Sequence, residues 1–365
     1  MSTPPAVAKS LAALMRRQLP ADLSDLAFRI PDPDPNPAEL DGLNRAIGPP
    51  GSGRPCCMLG ALVTPDVTLD GVRGKHSYGG TGPFDGVGHI YTSRGGFVDL
   101  GHARDYIDYT RFLATKVRHA PLTGDELNLG TEGAQLKLKI HPRSALPTPS
   151  TCAMAGAAIA YQRAVWHELA TYLLTYGTGL TPERYSSFSP EDNFSNALGC
   201  LVGYRAVLEP LLPSFDGAAD LHLVGVLHDL GAVEEKVTEL ALECVDGYWF
   251  SSTDSLRRHL DAIGTIRPWL VTDTSPPDKA AKLDQLRDKL GTPAAAPITL
   301  PSQTPDGQPL DTIAELEFVG VADSELAPLL TIGPASVATA ADLQPMITAL
   351  RSRVRADYPF GDERG

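Results

Sequence analysis

The sequence has 365 residues, 42% of them hydrophobic, which is enough apolar material for a substantial core in one large domain or two. Its formal net charge of −13 argues against nucleic acid or an anionic membrane surface as the main partner, because both are negatively charged themselves. No apolar run approaches the roughly 18 residues that predict a membrane-spanning helix, so no membrane span is expected.

The amino-terminal residues and the cysteines favour a reducing compartment. Arg16 and Arg17 follow the short apolar piece of residues 1–20 instead of preceding it, which is the wrong order for a secretory signal. The five cysteines form an odd set without a Cys-x-x-Cys pair, so a disulfide framework is not expected. We therefore expect a cytoplasmic protein.

Most of the chain before residue 89 is expected to be irregular. Residues 5–19 have the spacing of a short amphipathic helix, whereas residues 30–55 are rich in Pro, Asp and Gly and predict an irregular arm. A strand is expected to begin within residues 54–63. The loop at residues 71–88 contains seven glycines, and its length favours a functional or partner-contacting role.

A hairpin and a helix follow this loop. Residues 89–93 alternate like a strand, and the glycines of Arg94-Gly-Gly96 predict a turn. Asp99 is a natural N-cap for a helix over residues 100–113. This start places His102 in the first turn, where the helix dipole favours a neutral imidazole that can bind a metal.

The elements further along are predicted from the same signals. They are an exposed strand at 136–140, a helix from 150 or 151 to 176, a helix start at Ser189 with Pro190 and Asp192, helical residues 218–246 interrupted near Gly231, a short aromatic strand at 248–250, mobile loops within 276–312 and a last helix at 341–356.

These elements predict an α+β fold that is mainly helical, with small antiparallel strands. A single core domain is expected at residues 54–272. A helix and a Pro-rich arm at 1–53 precede it, and Pro/Ala-rich loops with a helix at 273–365 follow it.

The helix over residues 150–176 carries the clearest chemical pattern. His167-Glu168-x-x-Thr171 matches the His-Glu-x-x-His motif of metalloproteases, except that Thr171 replaces the second histidine. In that motif, two histidines one turn apart bind zinc and the glutamate activates water. A metal site in this protein therefore needs ligands from outside the helix.

His102 is the best candidate for an additional ligand. Together with His167 and a carboxylate from Glu191 or Asp192 it could complete a His/His/carboxylate set for zinc or another divalent metal. Glu191 lies 24 residues after His167, which is loosely like the spacing of proteases whose third ligand comes from a following helix. Asp192 could equally be only a capping-box acid, and Glu191 only a first-turn acid favoured by the helix dipole.

Other residues offer different chemistry. Cys57, or its neighbour Cys56, could be a catalytic nucleophile with a histidine such as His76 or His102 as its base. Arg104 is a candidate catalytic residue that could hold a substrate carboxylate or phosphate, although ion pairs within the fold would account for it equally well.

Several motifs occur in a fixed order along the chain. They are Arg54-Pro-Cys-Cys57, His76-Ser-Tyr78, Tyr91 to His102, Trp166-His-Glu-Leu-Ala-Thr-Tyr172, Ser186 to Asn196, Asp246-Gly-Tyr-Trp249 and Arg267-Pro-Trp-Leu-Val271. This set resembles a bacterial family, the domain-of-unknown-function family 4056, over about residues 54–272.

The resemblance implies no particular activity, but it shows which candidate residues belong to the family's signature segments. Those inside or beside its signature segments are His102, Arg104, His167, Glu168, Ser195 and Asn196. Many members look exported or lipid-anchored, and this chain is expected to differ because no export signal is apparent. A cytoplasmic member could have been recruited to a biosynthetic pathway.

Three functions follow from these patterns. The first is a hydrolase-like metalloenzyme that uses the ligand set above, with Glu168 as general base for attack on an amide or ester. The second is a metal-free enzyme that acts on a small metabolite. It would use His167 with Glu168, or His102, as acid–base groups, or a nucleophilic thiol of Cys56 or Cys57. The third is a non-catalytic binding or scaffold protein with a buried polar network. An enzyme would take a small molecule or a peptide as substrate, and the sequence does not indicate an oligomeric state.

Overall fold

The computed structural model describes residues 69–72, 76–78, 88–178, 189–209, 212–246, 248–249, 262–274, 276, 278–323, 326–329 and 337–357. The elements predicted before residue 69, including the strand that would carry Cys57, lie outside the described residues. Most of the glycine-rich loop at 71–88 lies outside them too.

The fold is α+β and mainly helical, as predicted. The helices are α1 (Leu69–Val72), α2 (Leu100–His119), α3 (Pro149–Thr178), α4 (Asp192–Val207), α5 (Phe215–Asp229), α6 (Glu235–Val245), α7 (Ala280–Leu290) and α8 (Ala340–Asp357). The strands are β1 (His89–Thr92), β2 (Gly96–Asp99), β3 (Asp125–Glu132), β4 (Ala134–Ile140), β5 (Ala314–Val319) and β6 (Val337–Thr339). The predicted break near Gly231 is confirmed, since this residue has a φ of +74° between α5 and α6.

Helices α2, α3 and α4 pack closely at the centre because glycines let their backbones approach. A Cβ atom on Gly199 of α4 would lie 2.3 Å from the carbonyl oxygen of Ala103 in α2. Gly203 of α4 and Gly156 of α3 have similarly little room, since their Cβ atoms would lie 2.8 and 2.7 Å from atoms of Thr110. These three positions set the distance between the helices, and therefore between the polar groups that face each other across them.

Two antiparallel sheets complete the described part of the fold. Strands β1 and β2 form a hairpin in which His89 lies opposite Asp99. Strands β3 to β6 form a four-stranded sheet in that order, and Phe318 of this sheet stacks on Trp166 of α3 with ring centroids 4.0 Å apart. The strand predicted at 136–140 is confirmed, but alternate side chains along it are buried, so only one face is exposed.

Two predictions for the carboxy-terminal half were wrong. Residues 248–249 form a turn instead of a strand, because their backbone N–H groups donate to the carbonyl of Val245 at the end of α6. Helix α7 lies within residues 276–312, where loops were predicted. Its Leu283 and Leu286 are buried in a cluster with residues of α6, an amphipathic spacing that the Pro- and Ala-rich composition obscured.

One large cluster of buried apolar side chains extends from Val72 to Val354. It includes residues on both sides of the expected boundary between 272 and 273, and the domain boundaries stay predictions. In the described part of the chain, no helix is long and apolar enough to cross a membrane.

The close approach of α4 to α2 predicts that Gly199→Ala is destabilising. The added methyl group would meet the Ala103 carbonyl, and overpacking of this kind costs about 1–3 kcal/mol of unfolding free energy. Gly225→Ala in α5 is the matched control. No atom of the described residues lies within 4 Å of its Cβ position, so the higher helix propensity of alanine should stabilise the protein by about 0.5–1 kcal/mol. Urea denaturation measures both changes, and equal shifts in the two variants would contradict the packing account.

Candidate metal centre

Asp99 is the last residue of β2 and the N-cap of α2, and it is hydrogen-bonded to both α2 and α4. Its Oδ1 accepts hydrogen bonds from the backbone N–H groups of Gly101 at 2.7 Å and His102 at 3.1 Å, which confirms the predicted N-cap. Its own backbone N–H donates to Ser195 Oγ in α4 at 3.0 Å. Asp99 therefore fixes the start of α2 relative to both the hairpin and α4.

His102 lies in the first turn of α2, as predicted, and faces Asp192 at the start of α4. Its Nε2 lies 3.4 Å from Asp192 Oδ1, and both side chains are almost fully buried. Ligand atoms of Asp99, His102 and Asp192 all lie within 4.8 Å of one another, so this group could hold a metal ion. The structure thus brings together two of the four predicted ligands and adds Asp99 to them.

The predicted helix start at Ser189 is a turn, and α4 itself begins at Asp192. The Ser189 backbone N–H donates to Asp192 Oδ2 at 3.0 Å, which is half of the expected capping interaction. Ser189 Oγ does not cap the helix but donates to Glu191 Oε1 at 2.8 Å. These bonds hold both carboxylates inside the protein, where Glu191 and Asp192 are only 4% and 2% exposed.

His89 adjoins this group and was not among the site residues predicted from the sequence. Its Nε2 lies 3.4 Å from Asp99 Oδ2 and 3.6 Å from Glu191 Oε1. Burial lowers the pKa of this imidazole, but the two carboxylates outweigh burial and raise its pKa above the usual value. The positively charged form of His89 is therefore favoured between Asp99 and Glu191.

Glu168 of α3 adds a fully buried carboxylate to the surroundings of Asp192. Burial raises the pKa of Asp192 well above its usual value, and the imidazole of His102 opposes this only in part. Three neighbouring carboxylates raise the pKa further, and they belong to Glu168, Glu191 and Asp99. Acids held this close repel one another, and either a proton on Asp192 or a cation among them reduces the repulsion.

Two side chains near the group keep polar atoms unsatisfied. Oε2 of Glu191 and both amide atoms of Asn196 are buried, and none of them has a hydrogen-bond partner among the described residues. Asn196 follows Asp192 by four residues, so the two side chains lie on the same face of α4. Buried polar groups in native proteins are nearly always satisfied by protein, water or a ligand. These atoms therefore point to a bound ion, water or substrate.

His167, the predicted second histidine ligand, lies on another side of α3, against the sheet. Its Nδ1 is hydrogen-bonded to Glu132 Oε1 at the end of β3, and its side chain is 28% exposed. Burial lowers the pKa of His167, but the Glu132 carboxylate outweighs burial and raises this pKa to about 9. Successive helix residues point about 100° apart, which is why Glu168 faces the interior while His167 does not. The structure does not place His167 in the group formed by Asp99, His102 and Asp192.

The other predicted catalytic residues are not part of this group either. Arg104 is fully buried, and its Nη1 lies 3.6 Å from Asp220 Oδ1, which is an ion pair within the fold. Cys57 lies outside the described residues. His76, considered as its base, has its Nε2 2.8 Å from Asp108 Oδ1.

The hairpin contains the signal that would have identified His89. A tight turn at residues 93–95 joins two four-residue strands, and this pairing sets His89 opposite Asp99. Asp99 by itself predicts only a helix cap, and His89 is recognised as its neighbour only when the two ends of the hairpin are paired.

The family model described as "Protein of unknown function (DUF4056)" matches residues 74–260, about half of the chain. The match contains every residue of the candidate centre and is narrower than the expected 54–272. No curated protein matches the chain, and no solved structure matches it either.

The pair of His167 and Glu132 predicts a loss of stability at alkaline pH. A histidine whose pKa is raised to about 9 contributes its full stabilisation below its unfolded pKa near 6.5, and this contribution is lost as pH rises through about 9. The unfolding free energy should fall by about 1–3 kcal/mol over this window, since one pKa unit corresponds to about 1.4 kcal/mol.

Urea denaturation at pH 6 to 10 measures this loss. In the His167→Gln protein, the unfolding free energy should depend less on pH over this range. His228→Gln is the control, because the His228 side chain is 71% exposed and should leave the profile unchanged. An equally steep profile in the His167→Gln protein would contradict this account of the pair.

Proposed function

The chain belongs to the DUF4056 family, and from the geometry of its buried centre we propose that it is a metal-dependent hydrolase of amide or ester bonds. One observation carries the proposal: ligand atoms of Asp99, His102 and Asp192 lie within 4.8 Å of one another in the interior. Both helices α2 and α4 begin at this point, so the ligands are held by rigid elements and not by loops.

The donor set supports a divalent ion such as zinc. Imidazole and carboxylate groups both bind zinc, and catalytic zinc sites use three protein ligands and keep a further position for water or substrate. Asp99, His102 and Asp192 would supply those three ligands. Glu191 contacts His89 at the edge of the group. The Oε2 atom of Glu191, which has no hydrogen-bond partner among the described residues, could serve as an additional ligand.

The charge distribution supports the same proposal. Asp192 keeps its proton more readily than an ordinary aspartate because burial and nearby carboxylates destabilise its ionised form. A bound cation would replace that proton and offset the repulsion among the acids. In a protein that only needed stability, apolar side chains would serve this interior position better than crowded carboxylates.

Glu168 is the proposed general base. An ion at the centre would act as a Lewis acid and lower the pKa of a water, which is how metal ions assist hydrolysis at neutral pH. The Glu168 carboxylate is fully buried and is one of the charges that raise the pKa of Asp192, and in this proposal it accepts a proton from that water. The substrate would be a small molecule or a peptide.

A metal-free acid–base enzyme is the second candidate, and His89 is the observation that favours it. Its raised pKa makes the imidazolium a possible proton donor between Asp99 and Glu191. Activity that survives extensive chelation would favour this candidate over the metalloenzyme.

Metal analysis tests the main proposal. Full-length protein purified without a polyhistidine tag should contain about one divalent ion per chain by inductively coupled plasma mass spectrometry, the number that a single three-ligand centre holds. Asp192→Asn and His102→Ala should each lose most of it, because each removes a ligand. His167→Ala is the matched control and should keep its metal. A metal content far below one ion per chain, or loss of metal in the His167→Ala protein alone, would contradict the assignment.

The raised pKa of Asp192 predicts that metal binding strengthens as pH rises. In the ion-free protein, the free energy of unfolding falls as pH rises from the unfolded pKa of about 3.9 towards the higher folded pKa of Asp192. Over this range the unfolded state has released the proton that the folded state still holds. Metal binding removes this penalty by displacing the proton. The increase in melting temperature on adding zinc chloride should therefore be larger at pH 7.5 than at pH 5.5. A shift that is independent of pH would show that Asp192 does not exchange a proton for the ion.

A further inference from the structure

Arg205, near the end of α4, is a buried cation whose side chain the candidate metal centre does not use. The residue is only 8% exposed, and its Nε and Nη2 atoms are buried without a hydrogen-bond partner in the described part of the chain. Burial lowers the pKa of Arg205 to about 10, which still leaves the guanidinium charged at neutral pH. A charge held out of water without a partner is strongly unfavourable, so buried arginines are normally paired.

The two unsatisfied atoms of Arg205 form one edge of the guanidinium. On this edge the N–H groups of Nε and Nη2 point in parallel, which is the arrangement that binds two oxygens of one anion. The nearby acids of the fold contact histidines instead. Asp229 Oδ1 lies 3.2 Å from His228 Nδ1. Glu209 Oε2 lies 3.2 Å from His222 Nε2.

Contacts between α4 and α5 set the Arg205 side chain opposite the middle of α5. Glu209, four residues after Arg205, lies against His222 in the first half of α5. Asp229, the last residue of α5, is the acid that raises the Arg205 pKa and partly opposes burial. The order along α5 is therefore the reverse of that along α4, and the two helices run antiparallel. It follows that Arg205 faces the turn of α5 that comes after His222.

This turn of α5 leaves open space beside the helix. Gly225 lies three residues after His222 and four before Asp229, so these three residues share one side of α5. No atom of the described residues lies within 4 Å of the position that a Cβ atom on Gly225 would occupy. Gly225 is also partly exposed, so the space opens to solvent. We call the space between Arg205 and Gly225 the Arg205 groove.

The charges beside the Arg205 groove favour a singly charged anion. Burial lowers the pKa of His222, the Glu209 carboxylate opposes this in part, and Arg205 lowers the pKa again. The neutral form of His222 is therefore favoured, and its imidazole adds no positive charge. Asp229 and Glu209 would repel a phosphate dianion more strongly than a carboxylate, whose single charge the guanidinium can balance.

We propose that the Arg205 groove binds the carboxylate of a small-molecule ligand, with Nε and Nη2 of Arg205 each donating a hydrogen bond to one carboxylate oxygen. Arg205 follows Asp192 in α4 by 13 residues, which is about 20 Å along a helix. The groove is therefore a second binding site, separate from the candidate metal centre. Binding there requires no metal ion and does not depend on the proposed hydrolase activity.

Melting temperatures of the full-length protein test the proposal with sodium acetate as the probe. Compared with sodium chloride at equal ionic strength, acetate should raise the melting temperature by about 2–4 °C once it exceeds its Kd about tenfold. Sodium phosphate at the same ionic strength should give a smaller shift. The acetate shift should also be the same before and after chelation of metal, because the site contains no metal ligand.

Arg205→Met should abolish the acetate shift. Without acetate, its melting temperature should be unchanged or higher, because the substitution removes an unpaired buried charge. Arg143→Met is the matched control. Nη2 of Arg143 donates to the carbonyls of Val117 and Ala120 at 3.0 and 2.8 Å, so this variant should melt at a lower temperature and keep the acetate shift.

Gly225→Leu is a second variant that leaves Arg205 in place. Its side chain would occupy the Arg205 groove, so the acetate shift should be lost although the guanidinium is retained. This variant tests the groove even if the Arg205→Met protein does not fold.

Five results would overturn the proposal. They are no acetate shift in the unsubstituted protein, an equal shift in the Arg205→Met or Gly225→Leu protein, a shift that is lost on chelation, a larger shift with phosphate than with acetate, and a fall in the melting temperature of Arg205→Met as large as that of Arg143→Met. The last result would give Arg205 a purely structural role.

Discussion

The carboxylate of Asp99 is the constraint on which the centre depends. It accepts hydrogen bonds from the first turn of α2, while the backbone N–H of the same residue donates to Ser195 of α4. The hairpin register places His89 opposite it. Three elements distant in sequence are thereby joined at one residue, and the chemistry proposed for the protein is concentrated there.

Close helix packing makes this arrangement possible and also lowers the stability of the folded protein. Gly199 and Gly203 bring α4 against the backbone of α2, which leaves Asp192 facing His102 in the interior. Burial there raises the pKa of Asp192, and the repulsion from neighbouring carboxylates, which water does not screen, raises it further. A site of this kind lowers the stability of the protein, and a bound cation is the simplest physical reason to keep it.

Local signals in the sequence predicted the parts of the centre that depend on helix starts. Asp99 as N-cap fixed the position of His102, and Ser189 to Asp192 marked the start of α4 to within two residues. The His167 prediction went further than local signals allow. Its position depends on Glu132, 35 residues earlier in β3, and no helical periodicity shows which face of α3 meets the sheet. Asn196 gave no signal beyond its place in a motif, because an unsatisfied amide is recognised only once its surroundings are known.

The location of the ion tests the central claim most directly. Crystals of zinc-loaded full-length protein, measured above and below the zinc absorption edge, give the position of the metal independently of any assay. We predict a single anomalous peak about 2.0–2.2 Å from His102 Nε2 and from carboxylate oxygens of Asp99 and Asp192. A peak at His167 and Glu132 instead, or no peak at all, would contradict the proposed centre.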